Sequence, residues 1–410
     1  DWMDEFKLRF SLGQTGNAAS GASLYLGSYA SGDNYMDMSA ITPSTMQLNR
    51  LKWETTTEYN TGLDASFLKG KLRFTVDVYQ KYIKDLLQKK VKMPTSIGYG
   101  NGYEVSYMNS GKMPNKGWEF RVDAVPFENR DWRVGFYFNI AHNENKITEM
   151  PDNYTEENYT FNNGEYAYRR EEGRPMGSFY GYRYKGVCQN KDATYARDAD
   201  GNVMKDISGN AIVMRNGTAT IAPGDALYED INHDGVINQY DIVYLGNSNP
   251  RFTGGAGVNV SYKQFKLSAI FYGRYGQDVV NSTRLNNESM RGIDNQSTAV
   301  LRRWRNEGDQ TDIPRALYGE GYNTLGSDRF VEDASYLRLK SLSFNYRLPK
   351  KIIQRWGFSN IDVYVTGYNL FTWTKYTGQD PEVKTENTYA RDSATTPASI
   401  QLVAGFNLSF

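Results

Sequence analysis

The stretch Lys71-Leu72-Arg73-Phe74-Thr75-Val76-Asp77-Val78-Tyr79 alternates apolar and polar residues without a break. A strand has a side-chain period of two. It therefore places Leu72, Phe74, Val76 and Val78 on one face and Arg73, Thr75, Asp77 and Tyr79 on the other. The period returns at 132–140, where Trp132, Val134, Phe136, Phe138 and Ile140 oppose Arg133, Gly135, Tyr137 and Asn139. At 118–124, Trp118, Phe120, Val122 and Ala124 oppose Glu119, Arg121 and Asp123. Near the start, Phe6, Leu8, Phe10 and Leu12 alternate with Lys7, Arg9 and Ser11. Near the end, Ile400, Leu402, Phe406, Leu408 and Phe410 alternate with Gln401, Val403, Asn407 and Ser409. Further strands are predicted near 57–67, 256–262, 265–273, 336–347 and 361–370.

A soluble antiparallel sandwich also has one apolar and one polar face. Three features point instead to a transmembrane barrel. Charges recur on the polar face of strand after strand. The segments run to about 9–11 residues, the span a tilted strand needs to cross a bilayer. Aromatics such as Trp118, Trp132, Tyr82, Tyr272, Tyr275, Trp373 and Tyr376 sit near segment ends, where interfacial girdles form. Short polar joints at Lys69-Gly70 and at Glu128-Asn129-Arg130-Asp131 read as hairpin turns. By contrast, 150–250 and 283–332 are long and rich in Asn, Asp, Gly and Tyr, which suits extracellular loops. The fold class is thus all-β, a transmembrane antiparallel β-barrel with long extracellular loops.

Composition agrees. The 410 residues carry 47 Lys+Arg against 47 Asp+Glu. That balance lacks the footprint of a nucleic-acid binder. No apolar run nears the ~18 residues of a membrane helix. One cysteine, Cys188, gives no internal disulfide framework. With two histidines and no nucleophile-elbow, zincin, Walker or Rossmann motif, the chain does not read as an enzyme. The opening DWMDEFKLRF has neither the basic nor the apolar region of a signal peptide.

Six blocks, in order, resemble SusC-like TonB-dependent outer-membrane transporters. They are Leu51-Lys52-Trp53-Glu54 with Gly62-Leu63-Asp64; Asn109-Ser110-Gly111 through Asn115-Lys116-Gly117-Trp118-Glu119; Gly173-Arg174-Pro175-Met176-Gly177-Ser178-Phe179-Tyr180-Gly181; Gly246 through Pro250-Arg251-Phe252-Thr253-Gly254-Gly255; Asp333-Ala334-Ser335-Tyr336-Leu337-Arg338-Leu339-Lys340; and Asn369-Leu370-Phe371-Thr372-Trp373. The resemblance implies a 22-stranded barrel in the outer membrane of a Gram-negative bacterium. It implies active import of an oligosaccharide or oligopeptide, powered by TonB through an internal plug and lidded by a SusD-like surface lipoprotein. No TonB box, plug or N-terminal extension is recognisable. Residues 1–410 therefore resemble the C-terminal part of such a barrel, roughly 12–14 strands. A part barrel has open edges that lipid cannot satisfy. The chain is accordingly expected not to close on itself, its remaining wall coming from the rest of the transporter. Two other readings stay open: a self-contained passive porin, and a soluble all-β carbohydrate-binding protein.

Three sets of residues are candidates for function. Asp230-Ile231-Asn232-His233-Asp234-Gly235-Val236-Ile237-Asn238-Gln239-Tyr240-Asp241 has calcium-loop spacing. Asp230, Asn232, Asp234, Asn238, Asp241 and the Val236 carbonyl would supply oxygens, and Gly235 the sharp turn. The candidate ion is a structural Ca2+; the competing reading is an Asx-rich loop held by its own hydrogen bonds. Tyr166, Tyr168, Phe179 and Tyr180 are candidates for stacking on substrate. Phe410, ending an amphipathic strand, resembles a barrel-assembly signal.

Overall fold

The computed structural model describes residues 2–410 except 22, 37, 94, 100–102, 110, 151–165, 168–169, 320–321, 384 and 387–388. Ten strands form one antiparallel sheet: β1 (Met3–Asn17), β2 (Glu54–Phe67), β3 (Leu72–Lys84), β4 (Met113–Glu128), β5 (Trp132–Asn145), β6 (Phe252–Tyr262), β7 (Phe265–Tyr275), β8 (Tyr336–Arg347), β9 (Asn360–Thr374) and β10 (Gln401–Ser409). Their spatial order is their chain order, an up-and-down meander. Every stretch of alternation in the sequence falls on one of these strands, with Lys71, Ile400 and Phe410 just outside the strand ends.

Register carries the alternation across the sheet. Opposed residues link Phe6, Ala65, Phe74, Val122, Phe138, Ala256, Phe271, Leu339 and Phe371 into one row over nine strands. The neighbouring row on the opposite face is Lys7, Asp64, Thr75, Arg121, Asn139, Gly255, Tyr272, Arg338 and Thr372. A slip of one residue anywhere would put charge among the apolar side chains, so burial of one face in lipid fixes the register. The apolar face is uncovered by protein: Phe10 is 72% exposed and Leu402 75%. On the polar face Arg9 bridges three strands, donating to Asp64 at 2.8 Å and Asp77 at 3.0 Å. Lys81 pairs with Glu58, and Arg347 with Asp362.

The strands run to 16 residues, longer than the 9–11 expected. Among the described residues the sheet holds ten strands, where about 12–14 were expected. Two further hairpins, Ser28–Tyr35 with Met38–Thr45 and Leu87–Lys92 with Glu104–Asn109, pair only within themselves among the described residues. Among the described residues β1 pairs only with β2 and β10 only with β9, so the sheet is open at both edges. The self-contained porin required these edges to meet, and they do not.

Connections sort by end. At one end are turns at 68–71, 129–131 and 263–264 and a longer joint at 348–359, which holds the short helix α1 (Lys350–Ile353). Asn129 Oδ1 accepts from the amides of Asp131 and Trp132 and so closes its turn. At the other end are segments 18–53, 85–112, 146–251, 276–335 and 375–400. The largest hydrophobic clusters lie here rather than on the sheet. One gathers Tyr180, Tyr182, Cys188, Tyr228, Ile237 and Leu325; another gathers Tyr166, Phe179, Val280, Phe330 and Tyr389. Part of the chain's aromatic content thus packs the loop layer, in addition to any girdle.

Candidate functional site

Three loops interlock at the mouth of the sheet. Segment 146–251 meets 276–335 where the Tyr182 amide donates to the Gly326 carbonyl at 2.9 Å. It meets 375–400 where the Ala390 amide donates to Ser248 Oγ at 2.5 Å. Strands Asp278–Asn281, Val331–Asp333 and Tyr389–Asp392 join the last two loops in one small sheet. Buried ion pairs hold the layer. Glu288 accepts from Arg284 Nε at 3.0 Å and from Arg329 Nη2 at 2.8 Å, and Arg284 also reaches Glu332 at 3.2 Å. Asp225 accepts from Arg315 and Asn323.

Where 276–335 and 375–400 meet, a pocket of about 490 Å³ opens. Its walls include Thr283, Arg284, Asn287, Glu288, Arg302, Gln379 and Asp392, with no aromatic ring among the described residues. Most of the polar groups are already engaged. Asp392 accepts from the Tyr376 hydroxyl at 2.6 Å, and burial, then that carboxylate, push the Tyr376 hydroxyl well above the usual phenol range. Asn287, Gln379 and Arg302 make no side-chain hydrogen bond or ion pair among the described residues, leaving two amides and one guanidinium for a ligand. A carboxylate or a peptide unit matches that donor set. Sequence reasoning missed this pocket, because its residues come from two loops and carry no motif.

The aromatic candidates fall elsewhere. Phe179 and Tyr180 are fully buried, on neighbouring positions of one short strand, Ser178–Gly181, and face two different clusters. Tyr166 is buried too, its hydroxyl donating to the Ser327 carbonyl at 2.7 Å. These three rings offer no free face for stacking; they are loop core, a correction to the substrate role expected of them. Tyr168 lies outside the described residues. Cys188 is also buried, and burial pushes its thiol up to about 11. Phe410 is exposed, its ring 4.9 Å from that of Phe358.

The 230–241 loop winds tightly around Gly235, at φ +79. Its carboxylates accept from its own amides: Asp230 from Gly235 at 2.8 Å, Asp234 from Val236 at 2.7 Å, and Asp241 from Ile231 and Asn238, both at 2.8 Å. Asn232 Nδ2 donates to Asp234, and Asn238 Nδ2 to the Val236 carbonyl. Burial raises the Asp241 carboxyl above the usual aspartate range. Among the described residues no three His, Cys, Asp or Glu side chains come together as a metal-holding group.

A two-faced meander with turns at one end and interlocked loops at the other defines part of the wall of a transmembrane β-barrel. Residues 1–370 match the family described as TonB dependent receptor-like, beta-barrel, and the chain belongs to that family. It is 31% identical over 397 residues to TonB-dependent receptor P3 of Formosa agariphila, covering 93% of this chain and 36% of that protein. It is 27% identical to TonB-dependent receptor SusC of Bacteroides thetaiotaomicron, covering 100% of this chain and 38% of that protein. A solved structure of the RagAB peptide transporter superposes over 100% of this chain and 41% of its own, at TM-score 0.71 and 27% identity. The chain thus spans between 36% and 41% of the length of these relatives. Its place is the outer membrane of a Gram-negative bacterium, and the soluble reading is overturned by this membership and by the uncovered apolar face.

Proposed function

We propose that this chain forms ten strands of a TonB-dependent importer of oligopeptides, working with a SusD-like surface lipoprotein. The observation that carries import is the register, which gives lipid one continuous apolar face and leaves a charged face for an aqueous path. The rest of the barrel wall, and a plug through which TonB would act, would come from other parts of the same transporter. A peptide is favoured over a glycan by the pocket, whose described walls offer amides and a guanidinium but no ring on which a sugar would stack. The RagAB peptide transporter, similar over the whole chain, points the same way.

The test is growth of cells carrying the full transporter on oligopeptides or oligosaccharides as sole nutrient. Peptide-dependent growth that requires TonB is expected, with a lipoprotein co-purifying. Arg302→Glu is expected to cut peptide uptake by about tenfold, the scale of one charge-assisted hydrogen bond. Growth on glycans alone would overturn the substrate, and growth without TonB the mechanism.

We also propose that the 230–241 loop takes a structural Ca2+ through Asp230, Asn232, Asp234, Asn238, Asp241 and the Val236 carbonyl. The support is the spacing together with the turn at Gly235. Calorimetry with Ca2+ should give a Kd of roughly 0.1–1 mM, as for extracellular calcium modules. No heat in the wild-type protein, or the same heat in Asp234→Ala, would refute it.

A further inference from the structure

On the apolar face, the row Phe120, Ile140, Gly254, Gly273, Leu337 and Trp373 loses its side chains at two adjoining positions. Neither glycine has room for one. A Cβ on Gly254 would stand 2.5 Å from the Asn139 carbonyl oxygen, and one on Gly273 would stand 2.7 Å from that of Tyr336. The next residue on this face of β6 is Ala256, which prolongs the gap. The result is an apolar groove of about 690 Å³ between Phe138, Ile140, Phe252, Phe271, Leu337 and Trp373. It lies at the loop end of the sheet, where Tyr275 and Thr374 close β7 and β9. Lys375, at its rim, is exposed and makes no ion pair among the described residues. Asp333, also at the rim, is engaged by the Ser335 amide at 2.8 Å and by the Ser335 hydroxyl.

We propose that this groove seats one acyl chain of an outer-leaflet phosphorylated glycolipid, lipid A, with a phosphate against Lys375. Three observations select that occupant. The groove is continuous with the face that meets the bilayer, it opens toward the extracellular end, and a free cation stands at its mouth. The hydrophobic effect does not drive the seating, since the chain is in hydrocarbon either way. What differs is contact. A chain in the groove touches walls on both sides, where a flat sheet offers one, and its phosphate gains a lysine beside an anionic surface. The inference is independent of the transported substrate.

The test is native mass spectrometry of the full transporter extracted in mild detergent, counting retained lipid A. About one molecule per barrel is expected. Ala256→Leu, which fills the groove, and Lys375→Glu, which reverses its rim charge, should each lower retention about fivefold, the scale of one lysine at an anionic surface. Lys263→Glu, at the turn end of the sheet, should leave it unchanged. Heat-modifiable gel mobility confirms that each variant is folded, and Lys375→Gln stands in for a variant that is not. Equal retention in the groove variants, a phospholipid in place of lipid A, no bound lipid, or a second protein copy covering this face would each overturn the proposal.

Discussion

Arg338→Ala is expected to lower the stability of the barrel by about 3 kcal/mol, the scale of removing one partner from a buried ion pair. Arg338 is 2% exposed, although it lies on the polar face of β8. Its guanidinium donates to Thr372 Oγ1 at 2.9 Å, to Glu382 at 2.9 Å and to Asp380. Those carboxylates belong to the 375–400 loop, so this one side chain ties loop to barrel. Lys340 supports it at 2.8 Å from Glu382. Without Arg338, Asp380 loses its guanidinium partner and Glu382 is left with Lys340. Arg338→Lys, which has one donor centre in place of a fork, should recover part of the loss. The readout is the midpoint of thermal unfolding in detergent; an unchanged midpoint in Arg338→Ala would refute the assignment. The same joint should respond to pH. Burial raises the Asp380 carboxyl, but the amides of Ala398 and Glu382 and then Arg338 outweigh it and hold it below the ordinary 3.8. A depressed carboxyl contributes its full stability above the unfolded value and loses it as pH falls through the folded one. The joint should therefore hold down to about pH 4 and weaken only in stronger acid.

Gly181→Ala is expected to break the contact between two loops while leaving the sheet intact. A Cβ at Gly181 would lie 2.3 Å from the Gly326 carbonyl oxygen and 2.9 Å from Leu245 Cδ1. The first neighbour is backbone, and it is the oxygen to which the Tyr182 amide donates. Relief therefore requires the two loops to part, losing that hydrogen bond and opening the cluster around Tyr180 and Leu325. Overpacking together with a lost buried hydrogen bond costs about 2–4 kcal/mol. Limited proteolysis of the full transporter should cut within 146–251 and 276–335 much faster in the variant. Its heat-modifiable mobility should be retained. Wild-type cleavage rates, or loss of the barrel itself, would contradict this division.

Ten alternating stretches became ten strands of one sheet, because a strand between lipid and water must repeat every two residues wherever its neighbours lie. The turns at Lys69-Gly70 and Glu128–Asp131 were legible for a similar reason: backbone conformation there depends on a few adjacent residues. Leu68, Lys69 and Gly70 all take positive φ. The sequence motifs marked the family for what they hold together, as the joint at Arg338 and the crossing at Gly181 illustrate.

The long loops at 150–250 and 283–332 were legible, but not how they pack. Phe179, Tyr180 and Tyr166 look alike as exposed or buried rings in a list of residues, and only the folding of 146–251 against 276–335 and 375–400 put them inside. The pocket at Arg302 and the groove at Gly254 and Gly273 share that origin. Each joins residues distant in the chain, and each is defined by space left unfilled. The sequence alone determined which face of each strand meets lipid and where the chain turns, since both follow from local period and local dihedrals. Tertiary structure alone decided which aromatic rings are core, which cations remain unpaired and where the apolar face is indented, since those depend on contacts between segments that no local pattern encodes.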